Sequence, residues 1–497
     1  MRVAKVALVT SLLAVAGFAL YVTRDGAAAN DEVGKATVEE APYQPRPAGM
    51  VTFNKDIARI MFNNCTSCHR PGEVAPFALL SYQDAKKRAK QIADVTGSRF
   101  MPPWKAEHSD YSLKGARRLT ADEMGLIKQW ADEGMPEGRN VPLPAMPKFI
   151  DGWQLGKPDL VVKMGEPFPV PADGPDIYRN FALPLSLAED KWIRAIEFRP
   201  AARSVVHHSL FFFEATGSAR KLDEEDPKPG YSGGMGGISR GLGGFGSGGG
   251  RIAQDGAAKT GATFGSLGGW AVGGQGKELP EGLAWFVPKG ADLVLSTHFH
   301  PSGKSESEAS TVGIYFAKEP PTRRFTGVQL PPLFGFFEGI EIPAGEKEYK
   351  IEDSFILPVD VKGIGVGAHA HYLAKRMKMT ATLPNGESKV LLSINDWDFS
   401  WQDQYQFEQF VSLPRGTKLT VSIIYDNSAE NPRNPSSPPK KVEWGEGSTD
   451  EMGSMSLMVV AGNESELPEL QQSIAQHVRR SALKTSPIRL LRQMRRD

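Results

Sequence analysis

The sequence predicts a multidomain chain, a small all-α unit followed by two all-β sandwiches, and three observations carry that prediction. A length of 497 residues exceeds what one core supports, so about two to four domains are expected. Helical signals cluster within residues 48–147, whereas from 148 to about 465 short apolar strands alternate with Pro, Gly and Asp turns. The 52 Gly and 37 Pro fit a chain rich in turns and strands. Charge is balanced, with 58 basic and 58 acidic residues, which argues against a nucleic-acid partner and against bulk electrostatic steering.

Residues 1–29 read as an export signal or an N-terminal membrane anchor. MRVAK is a short basic start, VALVTSLLAVAGFALYV (6–22) is a continuous apolar run, and Ala27-Ala28-Ala29 offers small residues for cleavage. The run reaches the lower edge of a membrane span, so a cleaved signal and an uncleaved anchor both fit. Either places the rest of the chain in the periplasm or on the outer face of the cytoplasmic membrane. A flexible Pro- and Ala-rich linker (30–47) follows.

The next segment, 48–147, centres on NNCTSCHR. Cys65 and Cys68 are the only cysteines, and with His69 they form a Cys-x-x-Cys-His motif. That spacing lets two thiols bond covalently to the vinyl groups of haem while the histidine ligates iron. A disulfide or redox pair is the alternative. VTFNKDIARIMFNN reads as a helix leading into the motif, and LTADEMGLIKQWADEGMP (119–136) as a closing helix opened by a Thr120/Glu123 capping box. The segment resembles class I cytochrome c domains, which implies one covalent haem c and a methionine as second axial ligand. Met101, on the Pro-stiffened RFMPPWKAE, is the expected ligand; Met124 and Met135 fall on or after the last helix and are expected to pack.

The β-rich region contains DLVVKMG, KWIRAIEFRP, SVVHHSLFFF, ADLVLSTHFHP, KLTVSIIYDN and MGSMSLMVVAG as expected strands, enough for two sandwiches at 148–325 and 326–465. A Gly-rich stretch (229–251) interrupts the first and reads as a mobile surface insertion. No helix of useful length is expected before the basic tail, 466–497, which reads as a solvated helix plus tail.

Six of the nine histidines fall in three tight pairs inside this region: His207-His208, His298/His300 and His369/His371. Residues two apart on a strand share a face, so a His-x-His pair can present both imidazoles to one metal. The adjacent pair His207 and His208 should split between faces, and converges on one metal only if its strand is locally distorted, by a bulge for instance. Neutral imidazoles suit copper, zinc, iron or nickel, and a methionine ligand favours copper. Met452, in STDEMGSMSLMVV just before an expected strand, is that methionine.

In this order, over about residues 150–462, the motifs resemble the copper type II, ascorbate-dependent monooxygenases, the family of peptidylglycine α-hydroxylating and dopamine β-monooxygenases. The resemblance implies two jelly-roll sandwiches, each holding one copper. His207 and His208 match the first copper's adjacent pair, and His298 in LVLSTHF its third ligand. His369, His371 and Met452 match the second copper's ligands. GGWAVGG (268–274) and YDNSAENPR (425–433) also look like family segments. It further implies that the Met452 site is catalytic, using O2 to hydroxylate a C–H bond, with the second electron coming from the other copper and ascorbate as reductant. The fused haem domain departs from the family and is expected to replace or supplement ascorbate, fed by a periplasmic electron donor. The substrate, a small molecule or a peptide, is not inherited. His300 has no required role in the pattern, and Trp397, Trp401 and Tyr405 are more at home in a core than in a substrate cleft. The alternative is a non-catalytic copper and haem carrier.

Overall fold

Six apolar runs of the β-rich region form strands, and their alternation explains how two sandwiches close. The computed structural model describes residues 41–484 apart from 74, 151, 233–251, 254–262, 273 and 275. The segment 1–29, most of the Gly-rich insertion and the end of the basic tail lie outside the described residues.

A six-stranded sheet runs in the order Tyr231–Ser232, Ile177–Pro184, Asp292–Phe299, Val206–Glu214, Phe264–Ala271 and Ile252–Ala253. It packs on a five-stranded sheet that includes Leu160–Lys163, Lys191–Arg199 and Thr311–Phe316. Inward-facing Phe211, Phe213, Leu293 and Leu295 of one meet Ile193, Ile196, Val312 and Ile314 of the other in a single core. The second sandwich pairs two four-stranded sheets. One is Phe325–Leu330, Gly453–Ala461, Val361–Ala370 and Gln404–Leu413; the other is Tyr349–Ile356, Lys418–Tyr425, Ala374–Thr382 and Ser388–Ile394. Phe325, Ile364 and Val460 of the second sandwich belong to the first core, so the sandwiches meet through apolar side chains.

Ahead of them lies a small helical unit. A wide turn, Phe53–Ile57, runs into helix Ala58–Asn64, followed by Tyr82–Lys86, Ala89–Gly97 and Ala121–Asp132. Thr120 caps the last helix, with the expected reciprocal bonds to Glu123. Val51, Phe53, Ile57, Met61 and Trp130 are buried together, and Met124 and Met135 pack against them. Within the stretch read as linker, Tyr43 donates to Gln129 Oε1 (2.5 Å) and Arg46 pairs with Asp56. The Tyr43 ring lies where a Cβ on Gly125 would stand, so only glycine admits it there.

Residues 104–114 leave this unit and join the second sandwich. Trp104 and Leu113 enter its core, Leu113 bridges to Phe407, and the buried Lys105 ammonium bonds Asp396 (2.9 Å).

Two helical features differ from the sequence reading. Ser218–Glu225 is a helix inside the β region; only Ala219 of it is buried, so it carries no apolar period to read. The helix Leu467–Lys484 is not solvated all round, because Leu467, Leu470 and Ile474 lie in the second core.

Candidate metal centre

Strand Val206–Glu214 pairs with Asp292–Phe299 so that His208 faces His298, but the next pair is Val206 with Phe299. His207 is therefore the extra residue of a β-bulge, which turns its side chain onto the face His208 occupies. The bulge answers the difficulty of adjacent strand histidines. One nitrogen from each of His207, His208 and His298 lies within 4.8 Å of the others. The rings of His207 and His208 each stand 4.9 Å from that of His298.

Protonation follows from the acceptors. His298 Nε2–H donates to the Asp176 carboxylate (2.9 Å), so a neutral His298 ring keeps its lone pair on Nδ1. That Nδ1, like His207 Nδ1, is buried without a hydrogen-bond partner. An orphaned imidazole nitrogen in a core is costly unless a ligand meets it. Burial pushes His207 down to about 4 and His208 well below its ordinary value. His298 is lowered too, by burial, with the Asp176 bond and charge pulling the other way. All three are neutral at pH 7, the state a metal requires. His300 stays outside the cluster: it is exposed, stacks on His207, and donates from Nδ1 to Asp176 (2.7 Å).

The second group forms at the end of Val361–Ala370. Pairing with Gly453–Ala461 sets His369 opposite Ser454 and Ala370 opposite Gly453, which brings the start of that strand to the histidines. His369 Nε2 lies 3.0 Å from Met452 Sδ, and the two imidazoles are 5.5 Å apart and nearly perpendicular. His369 Nδ1–H donates to Gln402 Oε1 (2.5 Å), so Nε2 turns a lone pair toward the thioether. Two such donors face each other stably across a cation. His371 Nδ1–H donates to the Asp450 carbonyl (3.1 Å), which frees its Nε2 as well. Burial takes His369 down to about 4 and His371 to about 3.

Glu451, fully buried, accepts backbone N–H groups from His371, Leu373 and Met452, clamping both ligand-bearing segments. Trp397 donates to the His371 carbonyl (3.0 Å) and is core, as is Tyr405. The two groups face each other across one ring. Phe399 touches His208 (6.3 Å between centroids), His298 (5.3 Å), His371 (5.4 Å) and Tyr372 (4.7 Å).

In the helical unit, Cys65 and Cys68 are free thiols on the turn after Asn64, and burial pushes the Cys65 thiol up to about 12. His69 Nδ1–H donates to the Phe77 carbonyl (3.1 Å), leaving Nε2 for a ligand. This is the geometry an iron-ligating imidazole needs. Met101 is half-buried on its loop. Arg203, just before the His207 strand, pairs with Glu73, and Cys68 lines a cleft with Arg70, Arg199 and Trp270.

Sequence reasoning missed Asp176, Gln402, Glu451, Tyr372 and Phe399. Only Glu451, beside Met452, and Tyr372, directly after His371, had a local signal.

No protein family matches the chain, and no curated protein does. Among solved structures it is similar to the infectious bursal disease virus VP2 subviral particle at 10% identity and a TM-score of 0.19, over 64% of this chain and 76% of that one. The Gx strain structure of the same virus gives 8% and 0.17, over 66% and 77%. Likenesses this remote say nothing about the site.

Proposed function

We propose that the chain is an exported, haem c-containing copper monooxygenase whose sandwiches are jelly rolls, hydroxylating a C–H bond of a small molecule or peptide with O2. The observation that carries the reading is the pair of half- to fully buried, neutral histidine groups facing across Phe399, one of three imidazoles and one of two imidazoles with a thioether. That donor difference suits two coppers with different work. Copper held by His369, His371 and Met452 would supply one-electron chemistry with O2, and copper held by His207, His208 and His298 would supply a second electron.

The chain's own residues hold this arrangement. Gln402 and the Asp450 carbonyl orient His369 and His371. Glu451 fixes the backbone between them and Met452, and the buried Phe399 ring stands against both groups. Cys65, Cys68 and His69 are the residues that hold haem c. The cleft beside Cys68 also takes in Trp270, which pairs with Ser209 while the next residue, Ala271, pairs with His208. On this reading electrons from the haem, from ascorbate or from both would enter at the three-histidine group. A periplasmic donor would reduce the haem, and the segment 6–22 accounts for export or anchoring. No described helix is long and apolar enough to cross a membrane.

The test is to make the full chain in an exporting host competent for haem c attachment, then measure metal content, the haem spectrum and oxygen uptake. Two coppers, covalent haem, and uptake stoichiometric with hydroxylated product are expected. Metals bound without oxygen consumption across candidate substrates would mark a carrier; neither metal nor haem would defeat both readings.

A further inference from the structure

We propose that Asp176 is the positioning residue of the three-histidine cluster, presenting the Nδ1 of His298 to the metal. The proposal rests on the metal reading of that cluster. Asp176 sits just ahead of strand Ile177–Pro184, and its carboxylate is 8% exposed. A carboxylate only accepts, so three donors fix its two oxygens: His298 Nε2–H at 2.9 Å, His300 Nδ1–H at 2.7 Å and the Tyr372 hydroxyl at 2.8 Å. The first bond decides which nitrogen of His298 carries hydrogen. The opposite nitrogen, Nδ1, is the buried atom left without a partner, in a ring that clusters with His207 and His208.

Two further contacts make this a fixed orientation. Tyr178 lies flat on the His298 imidazole, 4.4 Å away with 6° between planes, so the ring cannot tilt. Turning it over would exchange Nε2 for Nδ1 at the carboxylate and direct the other nitrogen to the cluster, which the bond to Asp176 resists. Tyr372 comes from the second sandwich, directly after His371, and holds the second Asp176 oxygen in place with His298. The carboxylate is thus set from both sandwiches, and its effect on the metal passes through one imidazole.

Outer carboxylates of this kind typically contribute about 10- to 100-fold in metal affinity. Cu(II) is titrated into the full chain against a competing chelator, following the affinity step that disappears in His208→Ala. Asp176→Asn should weaken that step by about 10- to 100-fold and change its Cu(II) electron paramagnetic resonance spectrum, leaving the other step in place. Tyr372→Phe and His300→Ala keep the His298 bond and should each lose less affinity than Asp176→Asn. Asp176→Glu, which retains a carboxylate, should hold more affinity than Asp176→Asn and serves if the amide variant folds poorly. Wild-type affinity and spectrum in Asp176→Asn would overturn the proposal while leaving the metal site standing. An equal loss in Tyr372→Phe would overturn it too, since the carboxylate would then act through the sandwich contact. A wild-type chain with no such step would remove the metal reading itself.

Discussion

On the proposed copper reading, Met452 would offer a soft, weak donor, whereas the imidazoles around it would be principal ligands. Met452→Ala should therefore keep Cu(II) content while turnover falls by at least about 100-fold, the upper end of what outer partners alone contribute. Metal analysis beside product formation checks this; loss of copper in the same variant would make Met452 a structural ligand. His207→Ala or His208→Ala should instead lower copper toward one per chain, because each removes one of three imidazoles. Met101→Ala should change the low-spin spectrum and the haem reduction potential, since an axial thioether raises that potential. An unaltered spectrum would assign the ligand elsewhere.

The strands were legible because their alternation is local, whereas the partners of the ligands were not. DLVVKMG, SVVHHSLFFF and KLTVSIIYDN each announce a pleated, half-buried run, and each is a strand. The bulge at His207 could be anticipated from two adjacent histidines, but Asp176 lies 122 residues from His298, and nothing near it in sequence marks it. Helix Ser218–Glu225 escaped notice because tertiary bonds hold it: Asp223 accepts the Ala182 N–H and Glu214 that of Ala219. Beside it, buried Arg179 on strand Ile177–Pro184 pairs bidentately with Asp226 and donates to the carbonyls of Lys228, Pro229 and Gly230. This one guanidinium fastens the segment that enters the Gly-rich insertion. Arg179→Met should cost about 3 kcal/mol by denaturant unfolding at pH 7. The Arg179 bond holds the Asp226 carboxyl below its ordinary range. The stability from that pair is therefore present above the unfolded pKa, roughly 4, and is lost as pH falls through the folded value. The gap between wild type and variant should narrow below that pH, the carbonyl bonds remaining; a constant gap would show that the pair's charge contributes nothing.

Across the whole molecule, the C-terminal helix gives the second core apolar side chains from its first half, Leu467, Leu470 and Ile474. A chain ending at 478 keeps Leu467, Leu470 and Ile474 and should retain both copper and haem. A chain ending at 466 loses all three, each worth about 1.5–3 kcal/mol buried, a sum of the order of a domain's stability. It should lose copper at the Met452 group and unfold at lower temperature. Equal metal content in the two truncations would show that the helix is dispensable to the fold.

The segment that ties the helical unit to the second sandwich has a consequence for biogenesis. Lys105 and Asp396 are 291 positions apart, and Leu113 bridges to Phe407, so the surface that receives the unit is among the last made. At about 5–20 residues per second, synthesis leaves those residues waiting on the order of 15–60 s for their partners. Haem attachment to Cys65 and Cys68 would then take place on a chain whose own docking face does not yet exist. On the proposed haem reading, Cys68 would meet its first-sandwich neighbours Arg199 and Trp270 before the second sandwich is complete.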